Sequence, residues 1–207
     1  MSSVNFEQAR FAMVEQQVRP WDVLDPRVLD VLHKLQREDF VTAEHRNLAY
    51  TDIALPLAHG EVMMKPVLEG RLLQALDISS QDDVLEIGTG SGFVTACLSH
   101  LAREVVSIDI HADFIEQAKQ KLSAAGIRNV HLECADALNW KNDRQFDAIA
   151  VTAAVAEIPE IFAQWLKPEG RMFIIRGHSP AQDALRVTFR GENLHEESLF
   201  ECLCLHF

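Results

Sequence analysis

The apolar residues of the first eighty positions recur at the spacing of helices, with one interruption. Over residues 5–19 they fall at near-helical intervals and Pro20 ends the pattern, which predicts a first helix. A second helix is predicted over 26–35, where Pro suits the first helical turn and the apolar side chains share one face. Residues 54–66 contain two prolines and have no sustained period, so we expect a loop, followed by a helix over 67–76.

Beyond residue 80 the pattern changes to short apolar runs separated by helical stretches. The predicted strands are Val84–Ile87, Val105–Ile108, Val130–Leu132, Ala148–Val151 and Met172–Ile175. Helical faces are predicted over 114–122 and 158–166, and Pro168 and Gly170 are expected to end the second. Alternation of this kind is typical of βαβ units, so we expect a doubly wound, mostly parallel α/β sheet covered on both faces.

The last segment has the pattern of two neighbouring strands. Residues 185–189 and 198–207 alternate as strands do, and residues 191–193 have the composition of a turn. We therefore predict an antiparallel hairpin at the edge of the sheet.

Composition narrows the possible functions. With 207 residues and 48% hydrophobic content, we expect one domain over 1–207, in which 1–80 form a helical and substrate-loop region and 81–207 a Rossmann-like core. A net charge of -12 disfavours nucleic acid as a partner. No apolar run is long enough to predict a membrane span. The four cysteines include no C-x-x-C pair, so we expect a reduced, cytoplasmic protein. The sequence has no coiled-coil pattern, so we expect a monomer.

The stretch VLEIGTGSG, from Val84 to Gly92, places a glycine-rich turn after the first predicted core strand. In the dinucleotide fingerprint G-x-G-x-x-G the third glycine would stand at position 93, which is Phe93, so a pyrophosphate ligand is disfavoured. Asp109 ends the next predicted strand, where an acid is suited to accept hydrogen bonds from ribose hydroxyls. The pattern therefore favours a nucleoside.

Two more acids define that nucleoside further. Glu86 lies beside the glycine turn, where a carboxylate repels pyrophosphate and attracts an ammonium group. Asp136 follows the third predicted strand and is placed to accept from an adenine amino group. A ribose with a cationic amino-acid end describes S-adenosylmethionine. Each feature alone also fits a tight turn or a helix cap, but their order along the chain favours the cofactor.

The chain resembles the protein-L-isoaspartate O-methyltransferases over a stretch from about Met13 to about Gly177. The resemblance is carried by MVEQQVR, DPRVLDVL, REDFV, LAYTDIALP, VLEIGTGSGF, FDAIAVTAAVAEIP and LKPEGR. It implies a class I methyltransferase fold and S-adenosyl-L-methionine as cofactor. The cofactor-binding residues that it implies are Glu86, Gly88, Thr89, Gly90, Gly92, Asp109, Ile110, Asp136 and Ala137.

The departures from the family fall on the substrate side. Met64 stands where the family has its active-site serine, so the catalytic role of this position is in question. The resemblance implies a substrate region formed by His59, Val62, Met63, Thr152 and Arg176, the last of which replaces an uncharged family residue. Met63 and Met64 are equally consistent with adaptable core filling and with a remodelled pocket.

The function that the resemblance implies is O-methylation of isoaspartyl carboxylates in damaged proteins, a repair reaction. An isoaspartyl carboxylate is ionised at neutral pH and needs no general base, so the protein must mainly supply position. Two alternatives remain open: a divergent member that methylates another acceptor, such as a small acid, and a cofactor-binding protein without transferase activity. His111 is expected near the ribose, and since the histidines have no H-x-x-x-H or H-x-H spacing we expect no metal site.

Overall fold

A seven-stranded sheet organises the chain, which a computed structural model describes over residues 4–178, 181–191 and 193–202. Its strands are β3 (Asp83–Ile87), β4 (Glu104–Asp109), β5 (Val130–Cys134), β6 (Phe146–Val155), β7 (Leu166–His178), β8 (Ala181–Arg190) and β9 (Asn193–Cys202). They are ordered β5-β4-β3-β6-β7-β8-β9. A separate antiparallel hairpin is formed by β1 (Leu55–Pro56) and β2 (Val62–Met63).

Strand β3 lies at the point where the order of the sheet reverses. It pairs in parallel with β4 on one side and with β6 on the other. In open α/β sheets ligands bind in the crevice beyond the carboxyl ends of the strands at such a point. The glycine turn begins directly after β3, so the fold places it in this crevice.

The parallel strands and the C-terminal hairpin predicted from the sequence are confirmed. β3 to β7 pair in parallel, whereas β8 pairs antiparallel with both β7 and β9. The predicted second hairpin strand, 198–207, overlaps β9, and its residues 203–207 lie outside the described part of the chain. Both faces of the sheet are buried at its centre, since consecutive residues of β6 such as Ala148 and Ile149 belong to different core clusters.

The helices are α1 (Phe6–Ala12), α2 (Pro26–Lys34), α3 (Pro66–Leu76), α4 (Phe93–Leu101), α5 (Ala112–Ala124) and α6 (Glu160–Gln164). The first predicted helix is confirmed, but it changes form: a π-helical segment, Met13–Val18, follows α1, and a 3-10 turn, Arg19–Trp21, ends it. Side chains of α1 to α5 and of the π-helical segment pack on one face of the sheet, and α6 packs on the other. None of the helices in the described ranges is both long and apolar enough to cross a membrane.

Two of the elements predicted from the sequence are wrong in part. The expected loop over 54–66 contains the β1–β2 hairpin, held by a hydrogen bond from the Leu57 amide to the Glu61 carbonyl. The expected helix over 158–166 is limited to α6, because the Trp165 carbonyl already accepts from the Phe146 amide and commits the chain to pairing with β6. Pro168 and Gly170 therefore lie within β7, and neither ends the helix.

Candidate functional site

The glycine turn after β3 is pressed against β6. Gly88 has a backbone φ of +101°, and a Cβ atom added there would lie 2.3 Å from Oγ1 of Thr152. The Thr152 hydroxyl lies within hydrogen-bond distance of two carbonyl oxygens, at 2.7 Å from that of Gly88 and 3.1 Å from that of Ile87. Position 88 therefore has no room for any other side chain, and Thr152 fixes the turn from the neighbouring strand.

The other two glycines have different surroundings. Gly90 has a φ of +47°, and its amide donates to Asp109. Gly92 has a φ of +84° and precedes α4, and a Cβ atom added to it would lie 3.1 Å from the Cβ of Ala118 on α5. Gly90 therefore belongs to the ligand side of the turn, whereas Gly92 permits α4 and α5 to approach each other closely.

A cleft opens beyond the carboxyl ends of β3, β4 and β5. Its walls come from the β1–β2 hairpin, from the glycine turn, and from the residues after β4 and β5. The lining residues are Leu57, Glu61, Val62, Ile87, Gly88, Gly90, Ile108, Asp109, Ile110, His111, Phe114, Ala135, Ala137, Thr152 and Ala153. Most of them are apolar, so polar recognition in the cleft depends on a few placed groups.

Asp109 is the acid that the cleft contains at the end of β4. One carboxylate oxygen accepts from the Gly90 amide at 2.8 Å and the other from the His111 amide at 2.9 Å. Each oxygen keeps a second acceptor site. The two amides therefore orient the carboxylate and leave it able to accept from a pair of hydroxyls.

Asp136 is half-buried in the loop after β5. Its Oδ1 accepts from the Leu138 amide at 3.0 Å and its Oδ2 from Nδ2 of Asn139 at 2.6 Å. Its neighbours Ala135 and Ala137 line the cleft. The structure thus shows Asp136 shaping the loop that forms one wall.

Glu86 is the most unusual group in the site, because its carboxyl is completely buried and no described residue pairs a cation with it. Oε2 accepts from the hydroxyls of Ser107 at 2.6 Å and Thr95 at 2.5 Å, whereas Oε1 is buried and has no hydrogen-bond partner in the described part of the chain. Burial raises the pKa of Glu86 to about 8, against the opposing effect of the two hydroxyls. The hydroxyls of Thr89 and Ser107 lie 2.6 Å apart and extend the network toward the glycine turn.

A small cavity adjoins the cleft on the side of Glu86. Val62, Gly88, Gly90 and Thr152 border both spaces, and Met63, Met64 and Glu86 border the cavity alone. Met63 and Met64 are buried, with exposed fractions of 4% and 9%. Position 64, where the resemblance implies a serine, therefore lies at the Glu86 end of the site, and Met64 supplies a thioether there that donates no hydrogen bond.

A buried ion pair that the sequence analysis missed holds the segment carrying Met64. The guanidinium of Arg37 donates to both carboxylate oxygens of Glu69, at 3.0 and 2.9 Å, and neither side chain is appreciably exposed. The same guanidinium donates to the carbonyl oxygens of Ala49 and Met64, at 2.5 and 2.6 Å. The sequence prediction used the spacing of apolar residues, and a buried arginine does not contribute to that spacing. The pattern of apolar positions therefore could not reveal this ion pair.

Arg176 lies away from the residues that line the cleft and the small cavity. Its Nη1 is 2.7 Å from Oε2 of Glu196 on β9, and both side chains are roughly two-fifths exposed. The pairing joins two strands that lie on either side of β8, and no local motif indicates it. Arg176 therefore links β7 to β9.

His59 lies at the mouth of the cleft. It has a left-handed φ of +61°, and its Nε2 is 2.9 Å from Oδ1 of Asp113, which lowers the pKa of that carboxyl. Its ring is stacked on that of His111, with centroids 4.0 Å apart, and both rings make T-shaped contacts with the ring of Phe114. The sequence analysis expected His111 near the ribose, but it did not predict that the ring of His59 would stack on that of His111.

Comparison with known proteins agrees with this geometry. The family model for protein-L-isoaspartate(D-aspartate) O-methyltransferase matches residues 8–203. The chain is 36% identical over 192 residues to a protein-L-isoaspartate O-methyltransferase of Syntrophus aciditrophicus, covering 92% of this chain and 88% of that protein. It is 34% identical over 195 residues to one of Dictyoglomus thermophilum, covering 94% and 88%.

Solved structures confirm the predicted fold class. A candidate protein-L-isoaspartate O-methyltransferase from Plasmodium falciparum, crystallised with S-adenosyl-L-homocysteine, superposes with a TM-score of 0.81 at 17% identity over 99% of this chain and 98% of its own. Another solved protein-L-isoaspartate O-methyltransferase gives a TM-score of 0.84 at 24% identity over 96% of this chain and 65% of its own. At these identities the match establishes the architecture.

Proposed function

Because the chain belongs to the protein-L-isoaspartate(D-aspartate) O-methyltransferase family, we propose that it methylates isoaspartyl carboxylates of damaged proteins with S-adenosylmethionine. The observation that carries the cofactor assignment is the buried carboxyl of Glu86, which lies beside a cleft suited to a nucleoside and whose Oε1 has no partner among the described residues. An unsatisfied buried carboxyl oxygen is costly, and a ligand with an ammonium group relieves that cost.

The residues of the cleft fit the parts of this cofactor. Asp109 offers two oriented acceptors for the ribose hydroxyls. Ile110 and Ala137 supply apolar surface for an adenine ring, and Asp136 is the nearby acceptor that we propose for its amino group. The bound cofactor supplies a methyl group on a sulfonium, which is electrophilic without further activation.

The protein's contribution to transfer is to position the acceptor carboxylate. The apolar walls exclude water, and the buried Arg37–Glu69 pair fixes the backbone that carries Met64. Holding two reactants in near-attack geometry contributes on the order of 7 kcal/mol in well-oriented model reactions. No side chain needs to remove a proton, because the acceptor is already ionised.

We propose that the acceptor enters along Val62, Met63, Met64 and Thr152, which surround the small cavity next to Glu86. His59 lies further out, where it faces the mouth of the cleft. Arg176 is paired with Glu196, and we assign it to the support of the β7–β9 region. Because Met64 donates no hydrogen bond, we expect the rate of methyl transfer to be about tenfold or more lower than with a serine at this position. A hydrogen bond to a charged group contributes about 1.5–3 kcal/mol.

We further propose that the chain works as a single domain in the cytoplasm, on the basis of its length and cysteine pattern. We propose a monomer because the sequence has no coiled-coil pattern.

A second candidate function is methylation of a different acceptor. The observation that favours it is the buried thioether of Met64, which makes this end of the cavity more apolar than a serine would. Such an acceptor would need no hydrogen bond from position 64.

The two functions are separated by methyl transfer to a matched pair of peptides. The assay uses S-adenosylmethionine with a labelled methyl group, one peptide with an isoaspartyl residue, and the same sequence with an ordinary aspartyl residue. Repair predicts label in the isoaspartyl peptide alone. Label in neither peptide at high enzyme concentration, with the cofactor bound, would reject repair and favour the second function.

A further inference from the structure

Two imidazoles and a carboxylate converge at the mouth of the cleft from separate parts of the chain. His59 comes from the loop of the β1–β2 hairpin, His111 immediately precedes α5, and Asp113 lies in the first turn of α5. One potential ligand atom from each residue lies within 4.8 Å of those of the other two. All three are at least partly accessible to solvent.

The donor set is one that transition metals prefer. Zinc is bound by imidazole nitrogens and carboxylate oxygens, and sites open to solvent combine three protein ligands with water. Ligand atoms lie about 2.0–2.1 Å from a zinc ion, so donors that are as much as 4.8 Å apart need to approach each other by roughly an ångström, whereas Nε2 of His59 and Oδ1 of Asp113 are already 2.9 Å apart. The side chains of His59 and Asp113 are 42% and 46% exposed, which leaves them free to move that far.

The stacked arrangement of the two rings defines what must change when an ion binds. The rings are almost parallel, with an interplanar angle of 5°, and an ion is coordinated in the plane of an imidazole. Binding therefore requires the ring of His59 to turn away from the stack and to exchange its hydrogen bond with Asp113 for a shared bond to the ion. The backbone around His111 stays in place, because its amide donates to Asp109.

We propose that His59, His111 and Asp113 form a binding site for a divalent ion of the zinc class, which fastens the β1–β2 hairpin to the start of α5. Its three ligand side chains are not those that we assign to the cofactor and the acceptor carboxylate, although His111 also lines the cleft. Its consequence is mechanical: an ion shared by the two segments holds the hairpin over the cleft. The proposal does not depend on methyl transfer, since binding and hairpin order are measured without cofactor or substrate.

The test is calorimetric titration of the full chain with Zn²⁺, in the wild type and three variants. His59→Asn suits the left-handed backbone, which asparagine tolerates, and His111→Ser suits a residue that precedes a helix. Asp113→Asn keeps the shape of the third ligand. The control is His131→Asn, which removes a histidine that also contacts a carboxylate, that of Glu104, on another strand.

We expect one zinc ion per chain and an affinity at least about tenfold weaker in each of the three variants. His131→Asn should bind as the wild type does. Zinc should also slow hydrogen exchange at the amides of Leu57 and Glu61, which form hydrogen bonds inside the hairpin loop. The proposal is overturned if the wild type binds no zinc, if His59→Asn and His111→Ser bind it unchanged, or if zinc leaves exchange in the hairpin unaltered.

Discussion

The space that a side chain at Gly88 would need is taken by the hydroxyl of Thr152. A Cβ atom on Gly88 would lie 2.3 Å from Oγ1 of Thr152, far inside van der Waals contact. That hydroxyl is at the same time 2.7 Å from the Gly88 carbonyl oxygen, to which it donates. Strand β6 therefore determines the shape of the turn that follows β3, and the cofactor site depends on this contact.

Gly88→Ala is expected to displace the turn. We predict a loss of about 1–3 kcal/mol in the free energy of unfolding, from the clash and the positive φ, and at least a tenfold loss of affinity for S-adenosylhomocysteine. Gly126→Ala is the matched control, because Gly126 has a φ of +76° and no atom of the described residues lies within 4 Å of the added Cβ. It should lose about 1 kcal/mol and keep its affinity. Equal affinities in the two variants would contradict the role of the turn.

The buried carboxyl of Glu86 is expected to make stability depend on pH. Burial raises its pKa from 4.5 to about 8, so between these values the native state holds a proton that the unfolded chain has released. Its contribution to stability is therefore complete below pH 4.5 and lost as pH rises through 8. Relative to Glu86→Gln, which does not titrate, the wild type should lose up to about 1.4 kcal/mol per pH unit in this window.

The measurement is urea unfolding of the wild type and Glu86→Gln at several pH values across the window. The free energies of unfolding of the two proteins may differ by a constant amount. Only a difference in the slope of this free energy against pH reports the proton on Glu86. Parallel pH dependences would show that this carboxyl is ionised in the native state throughout.

Met64→Ser is expected to raise the rate of isoaspartyl methylation. A hydroxyl at this end of the cavity gains a hydrogen bond to the acceptor carboxylate, which corresponds to about a tenfold to hundredfold increase in kcat/KM. Met63→Ser is the control, since it truncates a buried methionine of the same cavity. It should lose stability without gaining rate. If Met64→Ser and the wild type methylate at the same rate, the missing donor at position 64 does not limit the reaction.

Glu69→Gln is expected to be strongly destabilising. It leaves the guanidinium of Arg37 buried without its counter-charge, and breaking a buried pair in this way costs about 3–5 kcal/mol. Asp39→Asn is the control, because it breaks a pair with Arg46 in which both side chains are 47% exposed, and should cost at most about 1 kcal/mol. Urea unfolding of both variants measures the contrast. Similar losses would mean that the Arg37–Glu69 pair contributes no more than a surface contact.

The elements that the sequence predicted are those encoded by local spacing. The run Val84–Ile87, the glycines after it and Asp109 lie within one βαβ unit, so their relation is set by a short stretch of chain. The same holds for α2 and α3, which begin at prolines. The β1–β2 hairpin was missed because strands of two residues are too short to have a period.

The parts of the site that the sequence did not reveal depend on contacts between distant segments. The residues that neighbour Arg176 in the sequence do not indicate that it will pair with Glu196 on β9. His59 and His111 are likewise brought together by the fold. A spacing rule for metal ligands considers one segment of the sequence at a time, so it could not reveal a site formed by two segments. The unpartnered oxygen of Glu86 is a property of packing, and only the tertiary structure shows it.

The account rests on the cofactor, and calorimetric titration of the unmodified chain with S-adenosylmethionine and with S-adenosylhomocysteine tests it most directly. We predict that one molecule of either binds per chain, and that Asp109→Asn weakens both at least about tenfold, because it removes the charge of the proposed ribose acceptor. If neither compound gives heat of binding or raises the unfolding temperature at about millimolar concentration, the assignment of this cleft is contradicted.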